Sequence, residues 1–315
     1  MKSKKCISSH PLPSDTAEVV SLWQTTFQDS DEFVDLFFRR VYRPENTLVI
    51  KSKGKIVSAL QMIPYEVKVA DSIIPSAYVC GVCTLTSERG KGLMKTLMRE
   101  AINHMRQKGY GIATLIPAHP WLFEIYKSFE YTHPINYCLE HYYNEAGSGT
   151  PNNGDTPEKS CNNFSDYTIT TYTDKYFSYF DKKQRERQCA VLHNEYDMEN
   201  IICDLKNDNG NAWIALCGDT PVGIALANPV SEKDVVIKEI LYDNTRIKEA
   251  LIYRILNEYN TNTAKVRVPS QGQSVKASDT PSSSINRKIY PYGLACILDK
   301  RITDLKDLYM TLMLD

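Results

Sequence analysis

The chain has 315 residues, of which 42% are apolar and 24% charged, a composition typical of a globular protein and not of a disordered, collagen-like or membrane-embedded one. At roughly 150 residues per domain, this length predicts two domains. The 37 basic and 38 acidic side chains leave a formal charge of −1, so no global field favours a nucleic acid or a membrane surface as a partner.

The amino-terminal segment and the cysteines indicate a cytoplasmic protein. Three lysines near the start are followed by polar residues and prolines instead of the apolar stretch of a signal peptide. The nine cysteines are odd in number and scattered, which is typical of reduced thiols. Cys80 and Cys83 have CxxC spacing, but positions three apart in a predicted strand face opposite sides, so we expect no metal site there.

Two polar stretches interrupt the apolar pattern. Residues 144–166 are rich in Gly, Ser, Asn, Pro and Thr, which predicts an interdomain linker. Residues 269–286 are similarly polar and are predicted to form a long loop between two strands. The sequence therefore predicts a first domain over residues 1–143 and a second over residues 167–315.

The first half alternates predicted helices with predicted strands, as α/β proteins do. Ser30 is placed as the N-cap of the second helix, and Gly54 lies in the turn of a hairpin. The predicted elements are helices at 17–27 and 32–42, strands at 47–52, 56–64, 66–69, 73–82 and 79–85, a helix after residue 92, a strand at 112–116 and a helix at 121–129.

The second half repeats part of this order, which predicts an internal duplication. Its predicted elements are a hairpin of strands 213–216 and 222–227, a strand at 235–241, a helix at 246–259 and a strand at 264–268. The turn before the helix reads Ser-Glu-Arg-Gly-Lys-Gly in the first copy and Tyr-Asp-Asn-Thr-Arg in the second. Only the first copy has a glycine turn.

This glycine turn is a candidate anion site. Gly90 and Gly92 leave backbone N–H groups uncovered at the positive end of a helix dipole, where an oxyanion can approach closely. Arg89 and Lys91 add positive charge. Glycine turns also precede helices for steric reasons alone, and this one matches neither the Walker loop nor the GxGxxG pattern.

Residues 78–98, 113–118 and 122–131, in this order, resemble the GNAT superfamily of N-acetyltransferases. In that family an Arg/Gln-x-x-Gly-x-Gly/Ala motif binds the pyrophosphate of acetyl-CoA through backbone amides, and residues 89–94 read Arg-Gly-Lys-Gly-Leu-Met. The resemblance implies a mixed, mostly antiparallel sheet flanked by helices. The second, degenerate GNAT-like domain resembles the Eis-type tandem branch, without a full sterol-carrier-like domain.

The resemblance also implies acetyl-CoA as co-substrate. The expected contacts are the strand backbone before the turn and the turn itself, namely Val82, Cys83, Thr84, Arg89, Gly90, Lys91, Gly92 and Leu93. The side chains of Val82 and Cys83 are expected to be core residues. Met94 departs from the small residue that the family usually has there.

The resemblance assigns the general acid to Tyr126, whose hydroxyl would protonate the leaving thiolate. The base is open, because residues 77–85 contain no carboxylate. The Eis-type branch uses its terminal carboxylate, which here belongs to Asp315; the alternative is that Asp315 ends an edge strand. His119, Glu66 and a water relay are further candidates.

The acceptor is expected to be a primary amine on a small molecule or a protein, attacked without a covalent enzyme intermediate. An acidic, aromatic rim would suit a cation, although such residues also occur at any solvated helix start. The rim residues are Trp23, Asp29, Asp31, Glu32, Phe33 and Asp35. There are two alternative functions: an acyltransferase that uses a different acyl-CoA donor, and a non-catalytic CoA-binding regulatory module. A homo-oligomer is compatible with either function.

Overall fold

The computed structural model describes residues 8–143, 167–270, 288–303 and 305–314. The predicted linker at 144–166, most of the predicted loop at 269–286, and Asp315 lie outside these residues. The α-helices are α1 (Thr16–Phe27), α2 (Asp31–Leu36), α3 (Leu93–Gln107), α4 (Leu122–Lys127), α5 (Phe177–Arg185), α6 (Glu195–Asn207) and α7 (Thr245–Glu258). No helix within this part of the chain is long and apolar enough to span a membrane.

The strands lie before, between and after these helices, singly or in consecutive runs. They are β1 (Ser8–Ser9), β2 (Thr47–Ser52), β3 (Lys55–Val69), β4 (Ser72–Thr84), β5 (Ile112–Leu115), β6 (His133–Tyr143), β7 (Thr168–Thr171), β8 (Cys189–Leu192), β9 (Asn211–Cys217), β10 (Thr220–Pro229), β11 (Asp234–Tyr242), β12 (Thr263–Pro269) and β13 (Ile289–Ile297).

The chain forms two compact units whose boundaries differ from the sequence-based division. The first unit joins residues up to Asn136 with Arg187–His193 and with residues from Tyr290 onward. The second contains Tyr137–Glu186 and Asn194–Ile289. Residues 187–193 and 290–314 belong to the first unit because β8 pairs with β3 and β13 pairs with β5.

The first unit is a mixed, mostly antiparallel sheet with helices on both faces, as expected. Its strand order is β1-β2-β3-β4-β5-β13, with β8 also paired to β3. Only β4 and β5 run parallel among these registered pairs. Trp23 and Phe37 belong to the apolar cluster on one face, which we call the α1 face. Leu97 of α3 and Tyr126 of α4 belong to the cluster on the other, the α3 face.

The predicted second helix begins where expected and changes its winding. Ser30 accepts a hydrogen bond from the N–H of Phe33, which confirms it as the N-cap of α2. From Phe37 to Val41 the helix continues as a π-helical turn. Such turns are rare, and periodicity at helical spacing does not distinguish them from an α-helix.

A β-bulge near the middle of the sheet corrects the geometry expected for the two cysteines. Cys80 pairs with Gln61 and Cys83 with Ala59, so β4 has one residue more than β3 between these pairs. This extra residue puts both cysteines on the α1 face, and the prediction that they face opposite sides was wrong. No cluster of three metal-ligating side chains exists among the described residues.

The second unit repeats the order of hairpin, bulged strand, helix and parallel strand. Tyr137–Tyr143 of β6 and the strands β12, β11, β10, β9 and β7 form its sheet in that order, and β11 and β12 run parallel. The register between β10 and β11 passes over Lys238, which is the bulged residue of β11. Helix α7 packs on this sheet through an apolar cluster that includes Leu251 and Ile255.

Candidate functional site

The site begins where β4 and β5 part. Registered pairs between these parallel strands end at Val79 and Leu115, yet β4 continues to Thr84. The predicted contacts Val82, Cys83 and Thr84 lie in this section of β4, beyond the last pair with β5. Because β5 itself ends at Leu115, this section of β4 has no registered strand partner on the β5 side among the described residues, and we call this unpaired edge the opening.

Hydrogen bonds from Ser58 of β3 and from Arg89 of the glycine turn hold the end of β4. Ser58 Oγ donates to the carbonyl of Cys83 at 2.7 Å and lies 2.7 Å from Thr84 Oγ1. Arg89 Nε donates to the carbonyl of Thr84 at 3.2 Å, which holds the guanidinium at the start of the glycine turn. Burial raises the pKa of the Cys83 thiol to about 12, so this thiol is neutral and not a nucleophile. Sequence reasoning missed Ser58, because a serine inside a strand carries no distinguishing signal.

The glycine turn leaves the N-terminus of α3 uncapped by any side chain. Gly90 and Gly92 have φ of +77° and +76°, and a Cβ at either position would meet nothing within 4 Å. Gly92 is the N-cap residue and provides no side-chain hydrogen bond. The first N–H groups of α3, beginning with Leu93, therefore lack an intrahelical partner. This turn, rich in unpaired N–H donors, fits a phosphate group.

The charge around the turn is smaller than the sequence suggests. Lys91 Nζ lies 2.8 Å from Glu88 Oε2, and both side chains reach solvent. A surface pair of this kind contributes about 0–1 kcal/mol, so an incoming anion can compete for Lys91. Met94, the departure from the family pattern, is half-buried and packs against the α3 face.

Tyr126 is suited to donate a proton at neutral pH. It is 6% exposed and belongs to the same apolar cluster as Leu115 and Leu93. Burial raises the pKa of its hydroxyl to about 12, so the hydroxyl keeps its proton in neutral solution. Tyr131 lies 6.4 Å away between ring centroids, and its buried hydroxyl has no hydrogen-bond partner among the described residues. Sequence reasoning overlooked Tyr131.

The base candidates differ in position. Asp315 is outside the described residues, but Met310 and Met313 before it belong to the cluster of the α1 face. The edge strand that Asp315 would end is, among the described residues, one bridge between Ala190 and Tyr309, and Leu312 beyond it has a φ of +56°, which is not an extended conformation.

The two reserve candidates are both exposed. His119 stacks on Trp121 beyond the end of β5. Glu66 pairs with Pro75, near the opposite end of β4 from Thr84. At about 3.3 Å per residue, the structure does not bring Glu66 to the opening.

Most of the expected acidic rim has partners within its own helical region. Asp29 Oδ2 accepts from Trp23 Nε1 at 2.7 Å, Asp31 Oδ1 accepts from Gln24 Nε2 at 3.3 Å, and Asp35 pairs with Arg39 at 2.6 Å. These contacts favour the interpretation of the region as a structural helix start. These three contacts do not include Glu32 and Phe33, the other two rim residues.

Comparison with known families finds a similarity over most of the first unit. Residues 11–133 match the sequence model of the acetyltransferase (GNAT) domain family. This part of the chain is therefore similar to a GNAT acetyltransferase domain. The matched range contains the opening, the glycine turn and Tyr126, which all belong to the first unit. No curated protein sequence matches the chain significantly.

Solved structures share the GNAT fold over nearly the whole chain. A probable N-acyltransferase from Enterococcus faecalis V583 superimposes with a TM-score of 0.70 at 14% identity, covering 94% of this chain and 73% of that one. A GCN5-related N-acetyltransferase from Anabaena variabilis superimposes with a TM-score of 0.69 at 12% identity, covering 94% of this chain and 73% of that one. Eis1 from Mycobacterium abscessus superimposes with a TM-score of 0.62 at 10% identity, covering 93% of this chain and 73% of that one. At these identities the likeness extends to the fold alone, and the expected resemblance to GNAT and Eis-type proteins is confirmed at that level.

Proposed function

We propose that the GNAT domain transfers an acetyl group from acetyl-CoA to a primary amine. The observation that carries this proposal is the uncapped N-terminus of α3 beside the opening between β4 and β5. The N–H groups from Leu93 onward would bind the pyrophosphate, with Arg89 and Lys91 adding charge. The thioester arm would then follow the β4 backbone at Val82, Cys83 and Thr84.

The reaction is a direct attack that leaves the enzyme unmodified. The amine nitrogen forms a bond to the thioester carbonyl carbon, and the bond from that carbon to sulfur breaks. The leaving thiolate takes a proton from the Tyr126 hydroxyl, and the amine gives one proton to a base. The buried, protonated state of Tyr126 supports its role as the acid.

The base is proposed to be Asp315, with His119 or a water molecule as the alternatives. An alkylammonium has a pKa near 10, so assistance matters most at low pH, where few amines are neutral. If Asp315 is the base, lengthening the chain with a Gly-Ser tail lowers the rate below pH 8 more than above it. His119→Gln is the matched comparison, and a rate loss confined to this variant would assign the base to His119 instead.

The proposal extends to the rest of the protein. The second unit is proposed to be a degenerate GNAT-like copy without a CoA site, because its corresponding turn has no glycine. The odd number of cysteines, scattered along the chain, supports a cytoplasmic location. The acceptor would be a small-molecule or protein amine.

Release of free thiol from acetyl-CoA in the presence of primary amines tests the proposal. We expect thiol release to depend on the amine and to equal the N-acetylated product measured by mass spectrometry. Binding of CoA without any turnover would instead support a regulatory module. Turnover with longer acyl-CoA donors but not with acetyl-CoA would change the donor.

A further inference from the structure

Two side chains on the α1 face, Trp23 and Gln61, lie against Gly81, in the section of β4 that borders the opening. This residue is the second after Val79, where the pairing with β5 ends, and its φ is +57°. A Cβ built on Gly81 would lie 2.0 Å from Gln61 Oε1 and 2.2 Å from Trp23 Cζ3. The space next to this α-carbon is therefore filled, and glycine is required by both the backbone angle and the contact.

The indole ring of Trp23 is held firmly in this position. Its Nε1 donates to Asp29 Oδ2 at 2.7 Å. Its ring centroid lies 4.7 Å from that of Phe37 and 5.0 Å from that of Phe27. Trp23 is only 5% exposed. Moving the ring would break a hydrogen bond and disturb a packed aromatic cluster.

Gln61 is buried without hydrogen-bond partners. Its side chain has no exposed surface, and neither Oε1 nor Nε2 has a partner among the described residues. A buried amide in this state is costly, and buried polar groups in native proteins almost always have a partner. The position of this amide, beside Gly81 at the opening, points to a polar group that a bound ligand supplies.

We infer that Trp23 and Gln61 form the end of the acyl site and restrict the donor to short acyl groups such as acetyl and propionyl. This inference rests on the proposed function, because it requires the acyl-CoA arm to enter the opening from α3. Since α3 packs on the opposite face of the sheet, an acyl chain that passes between β4 and β5 meets Trp23 first. The Gln61 amide, whose Oε1 faces Gly81, exchanges its oxygen and nitrogen by a half-turn about its last side-chain torsion, and Nε2 then donates to the carbonyl oxygen of the acyl group.

Calorimetric titration with CoA, acetyl-CoA and hexanoyl-CoA tests the length limit without requiring turnover. Overpacking a filled site reduces affinity by roughly 10- to 100-fold, so we expect hexanoyl-CoA to bind that much more weakly than acetyl-CoA. Trp23→Leu should remove most of this difference. Equal affinities of the parent protein for both thioesters would overturn the inference and leave the proposed function standing. Failure to bind CoA at all would overturn both.

Substitutions of Gln61 test the same length limit if the Trp23→Leu variant does not fold. Gln61→Ala removes part of the end wall and should relax the length limit, whereas Gln184→Ala is a matched control, since Gln184 is equally buried in the second unit. Gln61→Met fills the same space without a donor, so it should keep the length limit and lower kcat/KM for acetyl-CoA by about 10-fold. Unchanged acetyl-CoA kinetics in Gln61→Met would contradict the carbonyl contact.

Discussion

The turns after β4 and after β11 connect a bulged strand to a helix in two different ways. In the first unit β4 ends at Thr84 and α3 begins at Leu93, so residues 85–92 form a long turn with glycines. In the second unit β11 ends at Tyr242 and α7 begins at Thr245. The bulge is present in both strands, so the difference is confined to the turn and the end of the helix.

The N-termini of the two helices differ in the hydrogen-bond acceptors of their first N–H groups. Asn244 caps α7 by accepting a hydrogen bond from the N–H of Ile247 at 3.2 Å, whereas Gly92 provides no such group to α3. Asp243 adds negative charge beside the capped end, where Tyr179 donates to it at 3.1 Å. A helix N-terminus whose N–H groups already donate to its own chain has few donors left to bind a phosphate. The uncapped end of α3 retains its donors for a ligand.

The largest expected effect comes from placing a carboxylate at the uncapped end. Gly92→Glu should weaken CoA binding on the order of 10³-fold, because like charges brought together cost several kcal/mol. Thr245→Glu, at the start of α7, is the matched control and should leave CoA affinity unchanged. Calorimetry measures both, and equal CoA affinity of Gly92→Glu and the parent protein would remove the site from α3.

Removal of the proposed acid should have the next largest effect. Tyr126→Phe should lower kcat by about 10²-fold, with little change in CoA affinity, because the ring still packs. Tyr131→Phe is the control, and it should retain most of the turnover. The raised pKa of Tyr126 means that no loss of the acid form occurs below about pH 10. Full turnover in Tyr126→Phe would show that water protonates the thiolate.

A pH effect on stability should distinguish the first unit from the second. His193 Nε2 donates to the carbonyl of Thr311 at 2.9 Å, and burial, with a smaller effect of Arg187, lowers its pKa to about 4. The unfolded chain therefore binds more protons between pH 4 and 6.5, and stability falls as pH falls through this range. With a pKa lowered by this much, the free energy of unfolding is about 2 kcal/mol smaller at pH 5 than at pH 7.

Asp197 in the second unit responds in the opposite direction. Burial raises its pKa to about 6. Its contribution to the free energy of unfolding is therefore fully present below the pKa that it has in the unfolded chain, and is lost as pH rises from about 4 to 6. Urea unfolding at pH 5 and pH 7 measures both trends. His193→Gln keeps a donor for Thr311 without titrating and should abolish the acid loss. A variant as acid-sensitive as the parent would assign that loss to other groups.

The smallest effect is expected from the capped helix. Asn244→Ala should lower the unfolding free energy by about 1 kcal/mol, because α7 loses its N-cap. CoA affinity should remain that of the parent. Thermal melting together with CoA titration checks this prediction, and a change in CoA affinity would mean that the second turn contributes to the site.

Much of the first unit could be predicted from local pattern. The helix at 17–27, the hairpin around Gly54 and the strand at 112–116 match α1, β2–β3 and β5 closely, because their apolar periodicity is strong. Helix α6 was missed, although Asn194 and Asp197 form a capping box that marks its start. Such a cap is visible in sequence only when the following apolar pattern is noticed as well.

The arrangement around the opening could not be read from local pattern. Gly81 inside a strand is a signal for a bulge, but the contact of Trp23 with Gly81 joins parts of the chain far apart in sequence. The ion pair of Lys91 with Glu88 and the partners of Asp29 depend on side-chain conformations that spacing does not determine. Residues 290–314 joined the first unit through strand pairing, which polar and apolar composition alone does not reveal.

The first unit is assembled from distant stretches of the chain, and this has a consequence for its folding during synthesis. Leu115 of β5 pairs with Leu294 of β13, so the ribosome must complete the second unit before this edge of the sheet can be covered. Contacts of such wide separation slow folding, and an unpaired strand edge invites aggregation meanwhile. A fragment ending at residue 143 contains the whole GNAT match, yet it would leave β5 uncovered and is expected to be insoluble.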